Sequence, residues 1–145
     1  MKLLVQRVSS ASVRIESVIT ASIDEGVLVF VGFDREDNIH SLDTLSDKLL
    51  NYKIFNDGDG RVSLSLIETN NDILVVPQVT LAVSTRKGTK PSFSKAAEPN
   101  IGVEMFNTFQ QLLEEKFKKP YAGEFGAEMS ISLVNEGPIT FWFEL

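Results

Sequence analysis

With 145 residues, 43% apolar and 23% charged, the chain has the size and balance of one globular domain over residues 1–145, with no repeat or low-complexity tract. It has no cysteine, which excludes disulfides, thiolate metal sites and a cysteine nucleophile; lacking a signal-type leader and any run of about 18 apolar residues, it is expected in the cytoplasm, with no membrane partner. The net charge of −6 argues against non-specific wrapping of nucleic acid, an affinity that needs many Lys and Arg contacts to phosphate.

Residues 2–8 and 11–16 are short β-favouring runs, and Ser9-Ser10 between them predicts the turn of an opening hairpin. Residues 27–33, VLVFVGF, form an apolar run too short for a helix and rich in β-branched side chains, the mark of a strand buried on both faces. From Asp37 to Asn51 the pattern changes: Ile39, Leu42, Leu45 and Leu49 recur at the period of a helix with one apolar face. Residues 52–55 and 62–66 then flank Asn56-Asp57-Gly58-Asp59-Gly60 and predict a hairpin. That loop looks like a calcium-binding string but lacks the later bidentate glutamate.

Residues 73–83 predict a strand with an irregularity at Pro77-Gln78, since proline gives no ladder hydrogen bond. A long loop follows through Gly88, Pro91 and Pro99, the kind of segment on which sites are built. A second helix is expected from about Ile101 to Lys118, with Met105, Phe106, Phe109, Leu112, Leu113 and Phe117 on its apolar face. Residues 127–135 and 138–145 predict two closing strands, parted by Glu136-Gly137-Pro138. About eight strands and two main helices make a mixed α and β (α/β) fold.

The side chains offer little conventional catalytic machinery. The single histidine, His40, has no Gly-x-Ser-x-Gly elbow or aspartate partner, so a serine triad is excluded, and one histidine makes no catalytic zinc site. There is no Gly-rich phosphate loop. Neither a metal nor a cofactor is expected. The basic stretch Arg86-Lys87-Gly88-Thr89-Lys90, followed by Lys95, reads either as a solvated loop or as a contact to a few phosphates of an RNA end. Two segments stand out: Pro77-Gln78-Val79-Thr80 and Asn135-Glu136-Gly137-Pro138-Ile139-Thr140. Proline brings the cis and trans forms of the preceding bond close in energy, and glycine presents no side chain. A Gly-Pro pair can therefore aim carbonyl oxygens into a pocket, or simply turn the chain.

Together these segments resemble the signatures of the D-aminoacyl-tRNA deacylase family. The similarity runs the length of the chain, through MKLLVQRVSSASV, KIFNDGDGRVSLSL, LVVPQVTLAVSTRKGTKPSFSKAA and GEFGAEMSISLVNEGPITFW. The resemblance implies a three-layer β/β/α fold and a homodimer with its active sites at the interface. The implied reaction is hydrolysis of the ester joining a D-amino acid, or mischarged glycine, to the 3′ end of tRNA. Gly137-Pro138 is then expected to be cis and to enter the partner subunit's pocket, where main-chain oxygens leave no room for an L side chain. Arg7 would brace that dipeptide. Pro77, Phe125 and Met129 would line the substrate pocket, the last two around the terminal adenosine, and Lys87 and Lys90 would contact the tRNA.

Ester hydrolysis builds negative charge on the carbonyl oxygen, which fixed backbone amides stabilise without any titrating group. Amides near Gln78, Val79 and Thr80 are the candidate oxyanion hole. Thr80 is given a positioning role, because no general base accompanies its hydroxyl. The chain departs from the family where most members carry Ser-Gln-Phe-Thr. Its Pro-Gln-x-Thr form resembles an animal relative that removes L-alanine from a threonine tRNA, whereas Asn135–Thr140 and Arg7 follow the D-specific pattern. Editing of L-alanine and a non-catalytic nucleic-acid-binding module stand as the alternatives.

Overall fold

The computed structural model describes residues 1–86 and 88–145. In chain order the elements are β1 (Lys2–Ile15), β2 (Val18–Ile23), β3 (Gly26–Gly32), α1 (Ile39–Asn51), β4 (Phe55–Asn56), β5 (Val62–Leu64), α2 (Leu66–Thr69), β6 (Asp72–Pro77), a 3₁₀ turn (Val79–Ala82), α3 (Pro99–Lys116), β7 (Tyr121–Ala122) and β8 (Ser130–Glu144). The mixed α and β class and the strand count are as expected, and α2 is an unforeseen short helix.

The expected turn at Ser9-Ser10 is absent. β1 runs straight through it, and the chain reverses at Glu16-Ser17, both at positive φ, 46° and 69°, the backbone region that two-residue hairpin loops require. The two serines instead sit where the register against β8 slips, at Val8 and Ser10. That slip changes which face of β1 is buried where: Leu3 and Val5 belong to one core, while Val8, Ala11 and Val13 belong to another.

β1 is the spine of the sheet. It pairs with β8 from Lys2 to Arg14 along one edge, and with β3 (Lys2–Val8) and β2 (Ala11–Ile15) along the other. β3 passes in parallel to β6, and β6 in parallel to the short β7. β3 and β6 are buried on both faces and sort their residues by parity: Val27, Val29, Val31, Ile73 and Val75 meet α1 and α3, while Leu28, Leu74 and Val76 meet Val13, Ile23 and their neighbours from β1 and β2. Helices, central strands and the overlying ends of β1, β2 and β8 thus form successive layers, and the sheet curls towards a barrel.

α1 starts where Asn38 Oδ1 accepts the amides of His40 and Ser41 at 2.9 and 3.3 Å, supplying two of the donors a helix start leaves unpaired. It is tied to α3 by Lys116, whose ammonium donates to Asp43 and Asp47 carboxylates at 2.7 and 2.8 Å and to the Ser46 hydroxyl at 3.0 Å. Burial works to lower the Lys116 pKa, but the hydrogen bonds to Asp43 and Asp47 outweigh it and raise the net value. Between β4 and β5, Asp57 accepts the amides of Asp59 and Arg61 and the hydroxyl of Ser63, so this carboxylate closes the hairpin.

α2 carries a capping box. The Glu68 carboxylate accepts the Ser65 amide at 2.7 Å and the Lys53 ammonium at 2.6 Å, while the Ser65 hydroxyl receives the Glu68 amide. The Lys53 hydrogen bond, then the Ser65 amide, hold the Glu68 pKa down to about 2, from an ordinary value of 4.5. A depressed folded-state pKa contributes stability above the unfolded value and loses it as pH falls through the folded one. Glu68→Gln is therefore expected to flatten the acid limb of the thermal-melting profile between pH 4.5 and about 2; an unchanged limb would show that the cap does not act on stability.

Candidate active site

The site is built where the parallel pair β3 and β6 runs out, the end of such strands at which ligands collect in α/β folds. The ladder's last bond is the Gln78 amide to Val31 O at 2.7 Å. Bond direction alternates along β6, so Pro77 turns its nitrogen towards β7, whose last bond is the Gly123 amide to Val75 O at 2.8 Å. With no N–H to offer there, Pro77 ends the pairing, and the strand expected to continue to residue 83 becomes the 3₁₀ turn instead. Gly32 makes this possible: a methyl group on it would lie 2.8 Å from Leu81 Cβ and 3.0 Å from Gln78 O.

The turn leaves an asymmetry among the three candidate amides. That of Gln78 is consumed by Val31, which removes it from the expected oxyanion hole. Those of Val79 and Thr80 meet no acceptor among the described residues. The Thr80 hydroxyl donates to Gln78 Oε1 at 2.8 Å, so its proton rests on a neutral carboxamide that cannot act as a base. Beside this turn lies a cavity of about 370 Å³ lined by Pro77, Gln78, Val79, Phe125, Met129 and neighbours. Two segments about fifty residues apart in sequence are thus brought into one pocket. Thr80 faces away and lines a second cavity with Lys2, Arg86, Lys95 and Trp142. Lys90 is exposed and lines neither cavity; Lys87 lies outside the described residues.

The second motif is elsewhere. Opposite β1, Gln6 pairs with Thr140 and Val8 with Asn135, so Glu136, Gly137, Pro138 and Ile139 bulge out of β8. Expected as a break between two strands, they form a protrusion within one. No cis peptide bond occurs among the described residues, so the bond between Gly137 and Pro138 is trans, correcting the cis expectation; Gly137 at φ +97° supplies the bend. The Arg7 guanidinium, 7% exposed, lies behind the bulge, donating to Glu136 O at 3.2 Å, Ile54 O at 2.9 Å and Asn56 Oδ1 at 3.0 Å. Asn135, which the motif includes but to which the sequence assigns no role, donates to Arg7 O at 2.8 Å and Ile139 O at 3.1 Å, closing the neck of the bulge. Gly137 and Pro138 are exposed and do not line their own chain's cavity.

The family model described as D-Tyr-tRNA(Tyr) deacylase matches residues 4–144. The chain belongs to this deacylase family. Among its relatives are proteins named D-aminoacyl-tRNA deacylase from Teredinibacter turnerae, 43% identical over 144 residues, and from Pseudomonas syringae pv. tomato, 45% identical over 146; in both cases 99% of each chain is covered. A solved structure named c-Myc DNA Unwinding Element Binding Protein superimposes with a TM-score of 0.96 at 33% identity, covering 100% of this chain and 99% of the other. A second, described as a probable eukaryotic D-amino acid tRNA deacylase, has a TM-score of 0.84 at 20% identity over 99% and 98% of the two chains, a likeness of fold.

In this deacylase-family chain the described residues contain no cluster of three His, Cys, Asp or Glu able to hold a metal, and no helix is long and apolar enough to cross a membrane. What the site offers is two adjacent unpaired amides, a carboxamide held by a hydroxyl, and a cavity of mixed polar and apolar lining that Val79 borders. Thr80→Ala should slow turnover by roughly tenfold or less, because it frees Gln78 without removing an amide donor. Complete loss of activity in a folded variant would restore the hydroxyl as nucleophile.

Proposed function

We propose that the protein hydrolyses the ester of D-aminoacyl-tRNA, releasing free D-amino acid and tRNA, and that it acts likewise on mischarged glycyl-tRNA. The observation that carries this is the pair of adjacent unpaired amides at Val79, which lines the cavity, and at Thr80, the next residue of the turn, supported by the names of full-length relatives. Water adds to the ester carbonyl carbon, negative charge gathers on the carbonyl oxygen facing the two amides, and the carbon–oxygen bond to the ribose breaks. The ribose oxygen takes up a proton, with the neighbouring 2′-hydroxyl as the nearest relay. The terminal adenosine occupies the cavity between Phe125 and Met129, and Arg86, Lys87 and Lys90 meet tRNA phosphates.

The working form is a homodimer in the cytoplasm. Gly137 and Pro138 stand off their own cavity, so their carbonyls can reach only a second copy's site. β8 pairs on one edge alone among the described strands, with Val134 and Trp142 half exposed along it, an edge that a soluble protein needs to cover. An L side chain is refused there by crowding, whereas glycine has none to crowd.

A second reading, editing of L-alanine, is favoured by Pro77 in the first motif and by the trans bond before Pro138. Release of D-Ala, L-Ala and Gly from otherwise identical tRNA separates the two: D-Ala and Gly are expected to leave and L-Ala to stay. L-Ala released as fast as Gly would replace the D-specific reading. Binding of tRNA with no ester lost would leave a nucleic-acid-binding protein, in keeping with the name borne by the 33% identical relative, a DNA-unwinding-element binding protein.

A further inference from the structure

We infer that Gly102 is a positioning residue that sets the width of the cavity by giving the Phe125 ring a seat on the backbone of α3; this rests on the reading of that cavity as the nucleoside site. Gly102 is buried in the first turn of α3, its amide bonded to Glu98 O at 2.8 Å. A methyl group on its α-carbon would lie 2.7 Å from Phe125 Cζ and 3.2 Å from Cε2, well inside the roughly 3.5–4.0 Å at which carbon atoms attract. The ring therefore packs against bare helix backbone, at a depth that any side chain at 102 would deny it.

The neighbours of the ring limit how it can yield. Phe106, only 3% exposed, stands near it with ring centroids 6.3 Å apart at 49°, and a close-packed core does not yield. The crevice shared by Gly102 and Phe125 holds about 20 Å³, against about 370 Å³ in the cavity that Phe125 and Met129 line. A methyl at 102 thus drives the ring into the larger cavity and narrows the slot in which a flat base would lie. Gly123 stands in the same relation to Met129, whose Sδ would be 2.8 Å from an added methyl. A thioether chain has three torsions with which to yield, so the effect there is smaller.

Gly102 is not among the glycines of the chain with positive φ. Alanine is the better helix former, so Gly102→Ala probes space and not backbone strain. With D-aminoacyl-tRNA as substrate it is expected to raise KM about tenfold while leaving kcat within about twofold, the pattern of lost uniform binding. Adding Gly102→Ala to a Phe125→Leu protein should cost almost nothing further, since the ring it displaces is gone. An unmoved KM, equal losses in the two backgrounds, or failure to fold in both would overturn the seat. Wild-type protein inactive on the substrate would instead overturn the deacylase reading.

Discussion

Gly137→Ala is expected to reduce deacylation at least about a hundredfold while leaving a folded protein, since displacement of a reacting group by roughly 1 Å can cost that much. Two independent obstacles meet at this α-carbon. Its φ of +97° is a conformation that L side chains rarely adopt, and an added methyl would collide with Arg7 Nη2. The guanidinium cannot simply withdraw, because it holds Glu136 O, Ile54 O and Asn56 Oδ1, and leaving the buried Ile54 O unpaired alone costs about 1–3 kcal/mol. A domain with roughly 5–15 kcal/mol of stability survives this, but the bulge does not keep its shape. Single-turnover release of D-tyrosine, with circular dichroism as the control for folding, is the measurement. Near-normal turnover would remove Gly137 from the site.

What the sequence disclosed follows from how local each determinant is. α1 and β3 were legible because burial of one helix face, or of both strand faces, is written in every third, fourth or consecutive residue. The helix starting at Pro99 instead of Ile101 reflects proline's fitness for the first helical position. Ser9-Ser10 misled because serines suit turns, whereas here pairing with β8 over the length of β1 outweighs that preference. Of the candidate site, the sequence disclosed part of the cavity's lining more than its geometry. Pro77, Phe125 and Met129 do meet, but the loss of the Gln78 amide depends on the parallel register Val31 to Pro77, and no pattern within residues 73–83 contains that pairing. The same holds for Gly102, whose importance lies in a ring that comes from beyond α3.

The division of labour among the amides leads to a substitution that acts on the backbone alone. Val79→Pro deletes one of the two unpaired N–H groups and little else. The residue opens a 3₁₀ turn, where proline's fixed φ near −65° is already suited, and Gln78 at φ −141° and ψ 89° stays clear of the α region that a following proline forbids. The valine side chain is 46% exposed, so its loss carries little packing cost, and Val79→Ala serves as the control that keeps the N–H. If the amides stabilise the carbonyl oxygen as charge develops, Val79→Pro should lower kcat by about a hundred- to a thousandfold, the range found when one oxyanion-hole donor is removed. Val79→Ala should stay near the wild-type rate. KM should change little in either, because the interaction strengthens only as the tetrahedral species forms. A proline variant that turns over like the alanine one would show that this amide does not face the reacting carbonyl, and the charge would then have to be met elsewhere.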